Sequence, residues 1–148
     1  MNNGFKFRLN KVLEVKDVEF KQQQKDLSSA AQDKMNAYQQ LLEKQSSSEA
    51  FARELGNVRF QNAGDMHLNF GHFQNLIEEV QEQEQQLFSM EERENQEREK
   101  LLKVQRERKV LEKLREKELE KFHQDFLKQS QNDIDEMAIL GNRRGLWK

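Results

Sequence analysis

Apolar residues recur at helical spacing along two stretches of this chain and lapse in one patch between them. In the first stretch Leu9, Leu13, Phe20 and Leu27 follow steps of four and seven, and Ala31, Met35, Tyr38 and Leu42 continue at four, four, three and four. The two successive steps of four around Ala31 predict a stutter, which locally unwinds a left-handed supercoil and straightens the helix. Gln22, Gln23, Gln24, Gln39 and Gln40 are assigned to the outward face. In the second stretch Phe73, Leu76, Ile77 and Val80 stand near one end. A longer set from Leu101 through Val110, Leu114, Leu119, Phe122, Phe126 and Ile134 to Met137 occupies the other. Between them only Leu87, Phe88 and Met90 are apolar, so this section is predicted to protrude or to pair loosely.

The helix breakers mark the same division. None of the 148 residues is proline, and the six glycines are Gly4, Gly141 and Gly145 near the ends with Gly56, Gly64 and Gly71 in the middle patch. Proline costs about 3 kcal/mol and glycine about 1 kcal/mol inside a helix, so confining them this way outlines two uninterrupted helices. The reading is a first helix over about 5–55, a hinge over about 56–65, a second helix over about 66–140 and a flexible tail at 141–148. Gly56 is read as the stop of the first helix and Asp65 as the N-cap of the second. At 1.5 Å per residue the helices would be roughly 75 and 110 Å long. Neither could bury its apolar stripe alone, so the chain is expected to reverse into an all-α, long antiparallel two-helix coiled coil, an α-helical hairpin. That fold sets 119–137 beside 9–20 and brings both termini to one tip.

Composition narrows the function. With 35% charged and 34% hydrophobic residues, the chain has a thin seam in place of a thick core. Its 27 acidic and 25 basic residues give a net charge of −2, without the basic field that nucleic-acid binding uses. No apolar run approaches the roughly 20 residues of a membrane helix, and MNNGFKFRLN lacks a signal core, which predicts a soluble protein without membrane insertion. The absence of cysteine removes disulfides, thiolate metal sites and cysteine nucleophiles. Charges of both signs alternate from Glu91 to Lys121, with Glu94–Arg98 and Glu99–Lys103 in the favourable acid-first order at i,i+4, as on a solvated helix face.

Candidate chemistry is sparse. His67 and His72 lie five apart, a spacing that does not place both on one helical face. No phosphate-binding loop, dinucleotide fingerprint or HExxH occurs, and a two-helix seam offers no pocket to perturb a carboxylate. The sequence therefore predicts no enzyme, cofactor or metal. The lone Trp147 reads as a tail aromatic and the lone Tyr38 as a seam residue.

Four motifs carry a family resemblance. The opening FKFRLNKVLEVKD, with Phe5, Phe7, Arg8, Leu9, Val12 and Leu13, resembles the F-x-F-R-L-x-x-V-L start of the flagellar export protein FliJ family. Near the other end, 108–114 (RKVLEKL) and 135–138 (DEMA) look like its R-K-x-L-E-K-L stretch and D-E-[IMF]-A signature. In the middle, Phe70, Phe73 and Ile77 resemble its Y-x-x-F-x-x-x-L stretch, with phenylalanine in place of tyrosine. The resemblance implies an antiparallel coiled coil similar to the central stalk of rotary ATPases, acting at the cytoplasmic face of the inner membrane in flagellar type III export. Its implied partners are the export ATPase ring, the cytoplasmic part of the export gate, and export chaperones. By position, the ring-binding residues would be Leu9, Leu13, Arg108, Lys109, Leu114, Asp135, Glu136 and Met137. The gate-binding residues would be Tyr38, Leu42, Phe73, Ile77 and Val80. An equivalent stalk of a virulence secretion system, and a generic coiled-coil spacer, are the other readings of the same pattern.

Overall fold

The computed structural model describes residues 4–145 of the chain. Two α-helices hold nearly all of them: α1 spans Asn10–Asn57 and α2 spans Ala63–Arg143. No strand occurs among the described residues, and the fold is the all-α antiparallel two-helix coiled coil that the apolar pattern predicts. Trp147 lies outside the described residues. The chain divides into two units, Met1–Glu19 with Val104–Lys148 as unit 1 and Phe20–Lys103 as unit 2.

Unit 2 contains the reversal. Gly56 stays inside α1, and its φ is not positive, so it does not act as a left-handed stop. The start of α2 is set by side chains instead. Asn62 is the N-cap: its Oδ1 accepts the Asp65 N–H at 2.7 Å, while the Asp65 carboxylate reaches back to the Gln61 N–H at 3.4 Å. Asp65 thus sits three residues inside the cap position that the sequence assigned to it. Phe60 and Phe70 pack at 5.9 Å beside the turn, and Phe51 meets His72 edge-on at 4.7 Å.

The pairing in unit 2 is antiparallel, because contacts run down α1 as they run up α2. Gln83 Nε2 donates to the Ala37 carbonyl at 3.1 Å, Arg93 pairs with Asp33 at 2.6 Å, Lys34 with Glu94 at 2.9 Å, and Gln23 Nε2 donates to the Glu97 carbonyl at 3.1 Å. On α1 the inward positions recur every seven residues, as Phe20, Leu27, Lys34, Leu41, Ser48, Leu55 and as Gln23, Ala30, Ala37, Lys44, Phe51. This heptad is unbroken, so the expected stutter is absent. Ala31, Met35, Tyr38 and Leu42 are exposed, one residue off the seam that Ala30, Ala37 and Leu41 fill. Following apolar residues alone misassigned the face because Lys34, Gln23 and Lys44 take seam positions, with the heads of Lys34 and Gln23 paired to Glu94 and Glu97.

The section expected to pair loosely is likewise part of the seam. Gln83 and Glu94 are 4% and 8% exposed, and Gln23, assigned outward, is half-buried against Glu97. Two of the apolar side chains opposite are Ala30 and Ala37, each short of a leucine by three carbons, at about 0.8 kcal/mol per buried methylene. Here polar partners supply what apolar burial supplies elsewhere.

In unit 1 the N-terminal segment precedes the helix. Phe5 and Phe7, expected within helix 1, are not helical: Phe7 is 8% exposed, and Phe5 packs on Phe122 at 5.6 Å. Alternate inward side chains are what extended backbone provides, and Gly4, with φ of 92°, takes a left-handed conformation just before them. Asn10 N–H then donates to the Phe7 carbonyl at 3.1 Å as the first turn forms. Extended chain advances about 3.3 Å per residue against 1.5 Å in a helix, so this short segment reaches as far along α2 as Phe122.

The register of unit 1 differs from the expected one. Lys16 pairs with Glu107 at 2.7 Å and Asp17 with Arg108 at 2.7 Å, which sets 9–20 beside the section of α2 that begins near 104, not beside 119–137. Within unit 1, α2 continues past the section, up to Phe122, that the N-terminal residues contact. All residues from 131 to 140 are exposed, and α2 runs on through Gly141 to Arg143, into the expected tail. The first described residues therefore lie beside Phe122, not beside the described end of α2.

Candidate partner-binding surfaces

The sequence-named residues fall into three settings. The first is the paired part of unit 1. Leu9, Leu13 and Leu114 are half-buried in the seam, and Lys109 is exposed. Arg108 bridges the helices, with Nε 2.7 Å from Asp17 and 3.1 Å from Glu112. Beside it, hydrogen bonding to Glu107, and then to Glu19, raises the Lys16 ammonium above its ordinary range. An open groove on this unit is lined by Phe5, Lys6, Phe7, Arg8, Asn10, Lys11 and Arg115. It is basic, with four cationic side chains and no carboxylate in its lining.

The second setting is the overhanging end of α2. Asp135, Glu136 and Met137 lie there, roughly 40 Å along the helix from Arg108 at 1.5 Å per residue. Met137 is 71% exposed, and Asp135 accepts a hydrogen bond from Gln131 at 2.9 Å within its own helix. Phe126, Leu127, Ile134, Ile139 and Leu140 are exposed with it. Spacing identified Phe126, Ile134 and Met137 as apolar positions, but only the register reveals that α1 does not cover them.

The third setting is the hinge half of unit 2. Tyr38, Leu42 and Ile77 are exposed, whereas Phe73 and Val80 are half-buried in the seam, with Phe73 stacked on Phe51 at 6.4 Å. Ile77 and Val80 line a shallow groove with Gln45, Ser48, Glu49, Gln81 and Glu84. The proposed gate residues thus split between an outer face and the seam.

Among the described residues no group of three or more His, Asp or Glu could hold a metal ion, and no helix is long and apolar enough to cross a membrane. The family model described as flagellar FliJ protein matches residues 5–146. The chain belongs to the flagellar FliJ protein family. The match takes in the extended N-terminal segment, both helices and the overhang, so the three settings above are all parts of the FliJ domain. Membership carries a stalk role in flagellar type III export and association with components of that apparatus. FliJ proteins are structural stalks. Comparison with curated proteins and with solved structures gave no match.

Proposed function

We propose that this FliJ chain is the central stalk that engages the hexameric export ATPase, favours assembly of its ring, and couples it to the cytoplasmic part of the export gate. The family match over 5–146 carries the reading. The exposed apolar end of α2, with Asp135, Glu136 and Met137, supports the ring as its partner, because large apolar side chains exposed together at one helix end of a protein this polar call for cover. Leu9, Leu13, Arg108, Lys109 and Leu114 support the contact through the paired part of the same unit. Tyr38, Leu42 and Ile77 would meet the gate directly, with Phe73 and Val80 holding the helix pair beneath them. Export chaperones are further partners, and the protein acts in the cytoplasm at the membrane face of the flagellar base.

Assembly is promoted only if the stalk binds the ring better than the separate subunits, and the shift is limited by that difference in affinity. The test is ATPase activity and sedimentation of the export ATPase from the same organism, at low subunit concentration, with and without this protein. Stimulated activity with a shift toward the hexamer is expected. An unchanged rate and unchanged sedimentation would overturn the stalk reading.

A further inference from the structure

The seam of unit 2 changes character along its length. Toward the reversal it is closed by Leu41, Phe51 and Leu55 with Phe73, Leu76 and Val80, all buried or half-buried. From Gln23 to Ala37 on α1, against 83–97 on α2, the innermost groups are two alanines, a glutamine and a glutamate. The large apolar residues left there are Leu27, Leu87 and Met90, each half-buried.

Charge holds this section together. Glu94 is met by Lys34 from α1 at 2.9 Å and by Arg98 from its own helix at 2.7 Å. Glu97 takes the Gln23 amide across the seam and Lys100 along its helix at 3.3 Å, and Asp33 pairs with Arg93 at 2.6 Å on the flank. The cross-helix members of these sets, Lys34–Glu94, Gln23–Glu97 and Asp33–Arg93, draw on 93–97 of α2 and 23–34 of α1.

We infer that this section is a charge-held waist, a built-in point at which α1 and α2 separate locally and reversibly while the apolar seam nearer the reversal stays closed. Separation there exposes little apolar surface, so its main cost is electrostatic, and salt or loss of one charged partner lowers that cost. Removing one partner also leaves the other charge in the seam without its counter-ion, whereas replacing both with apolar residues does not. The waist gives the coiled coil a compliant section whose stiffness responds to its ionic surroundings.

Acid acts in the same direction. Hydrogen bonding to Lys34 lowers the Glu94 carboxyl below its ordinary range, and hydrogen bonding to Gln23 does the same for Glu97. A lowered folded value means the stabilisation is present at neutral pH and is lost as pH falls through that value. The groups facing these two carboxylates are Lys34, Arg98, Gln23, Lys100 and Arg93.

Hydrogen exchange on the full chain at neutral pH tests the waist. Amides of 30–37 and 87–97 are expected to exchange at least tenfold faster than those of 41–51 and 73–80, with the difference widening between low and high salt. Lys34→Leu combined with Glu94→Leu should slow waist exchange severalfold and abolish most of its salt dependence, while Lys34→Ala alone should accelerate it with helicity retained. Equal exchange in the two sections, or a salt dependence that survives the double leucine variant, would overturn the inference. If the double variant fails to fold, the salt dependence of the unaltered chain still decides: no response of the waist amides refutes the idea.

Discussion

Within unit 1, the covered part of α2 and its overhang invert the usual relation between composition and burial. The section from Val104 to Phe122 is densely charged, yet Lys16, Asp17, Phe5 and Phe7 cover it. The section beyond it carries Phe126, Leu127, Ile134, Met137, Ile139 and Leu140, yet these are exposed by half or more. Burial here is decided by how far α1 reaches, not by how apolar α2 is. The covered section is stabilised by what lies across from it, and the overhang keeps its apolar side chains exposed.

Substitutions can break that contrast, beginning with the strongest contact. Phe7→Ala should cost about 3 kcal/mol, read as a lower midpoint in thermal or denaturant unfolding, because it empties a buried aromatic site against the helices. If the midpoint holds, the N-terminal segment does not cover α2 in solution. Asp17→Ala should cost much less, between about 0.5 and 1 kcal/mol, since the pair with Arg108 is partly exposed and Arg108 retains Glu112.

On the overhang, Phe126→Ser and Met137→Ser should shift unfolding by less than about 0.5 kcal/mol each, as surface changes do. Circular dichroism would show full helicity while affinity for the export ATPase falls. A large loss of stability would mean that the overhang is covered after all. The smallest effect concerns Lys16. Its raised value means that its stabilisation is present at neutral pH and lost only as pH rises through that value, so a melting temperature followed from about pH 9 to about pH 12 should decline. Lys16→Met should flatten the part of that decline due to this site.

How much of this the sequence disclosed follows from what sets each feature. The two helices and the reversal were legible because breaker placement is a local property, read residue by residue from Gly56, Gly64 and the missing prolines. The seam face was not, since its heptad runs through Lys34, Gln23, Gln83 and Glu94, whose inward role depends on partners dozens of residues away. The register failed for a related reason. It needs the position of the turn and the extended path of Phe5 and Phe7, and a shift of a few residues at either end moves every facing pair. Cysteines at Leu13 and Leu111 should therefore crosslink within one molecule, whereas Leu13 with Phe126, which the expected register favours, should not. Efficient closure of the second pair alone would reinstate the expected register. Of the candidate site, the motifs located the residues, and only the structure separated exposed Tyr38, Met137 and Lys109 from Leu9 and Phe73 in the seam.

The glycines flanking the reversal carry one more consequence. Gly56 and Gly71 are both helical, and a methyl group added at either would meet nothing within 4 Å. Alanine would fit and would strengthen each helix by about 1 kcal/mol, so sterics do not explain the glycines. Gly64 differs, because a methyl there would stand 3.3 Å from the Asn62 cap oxygen. The chain thus leaves about 1 kcal/mol of attainable helix stability unused on each side of the reversal, and a pair of alanines would turn a joint that can fray into one that locks.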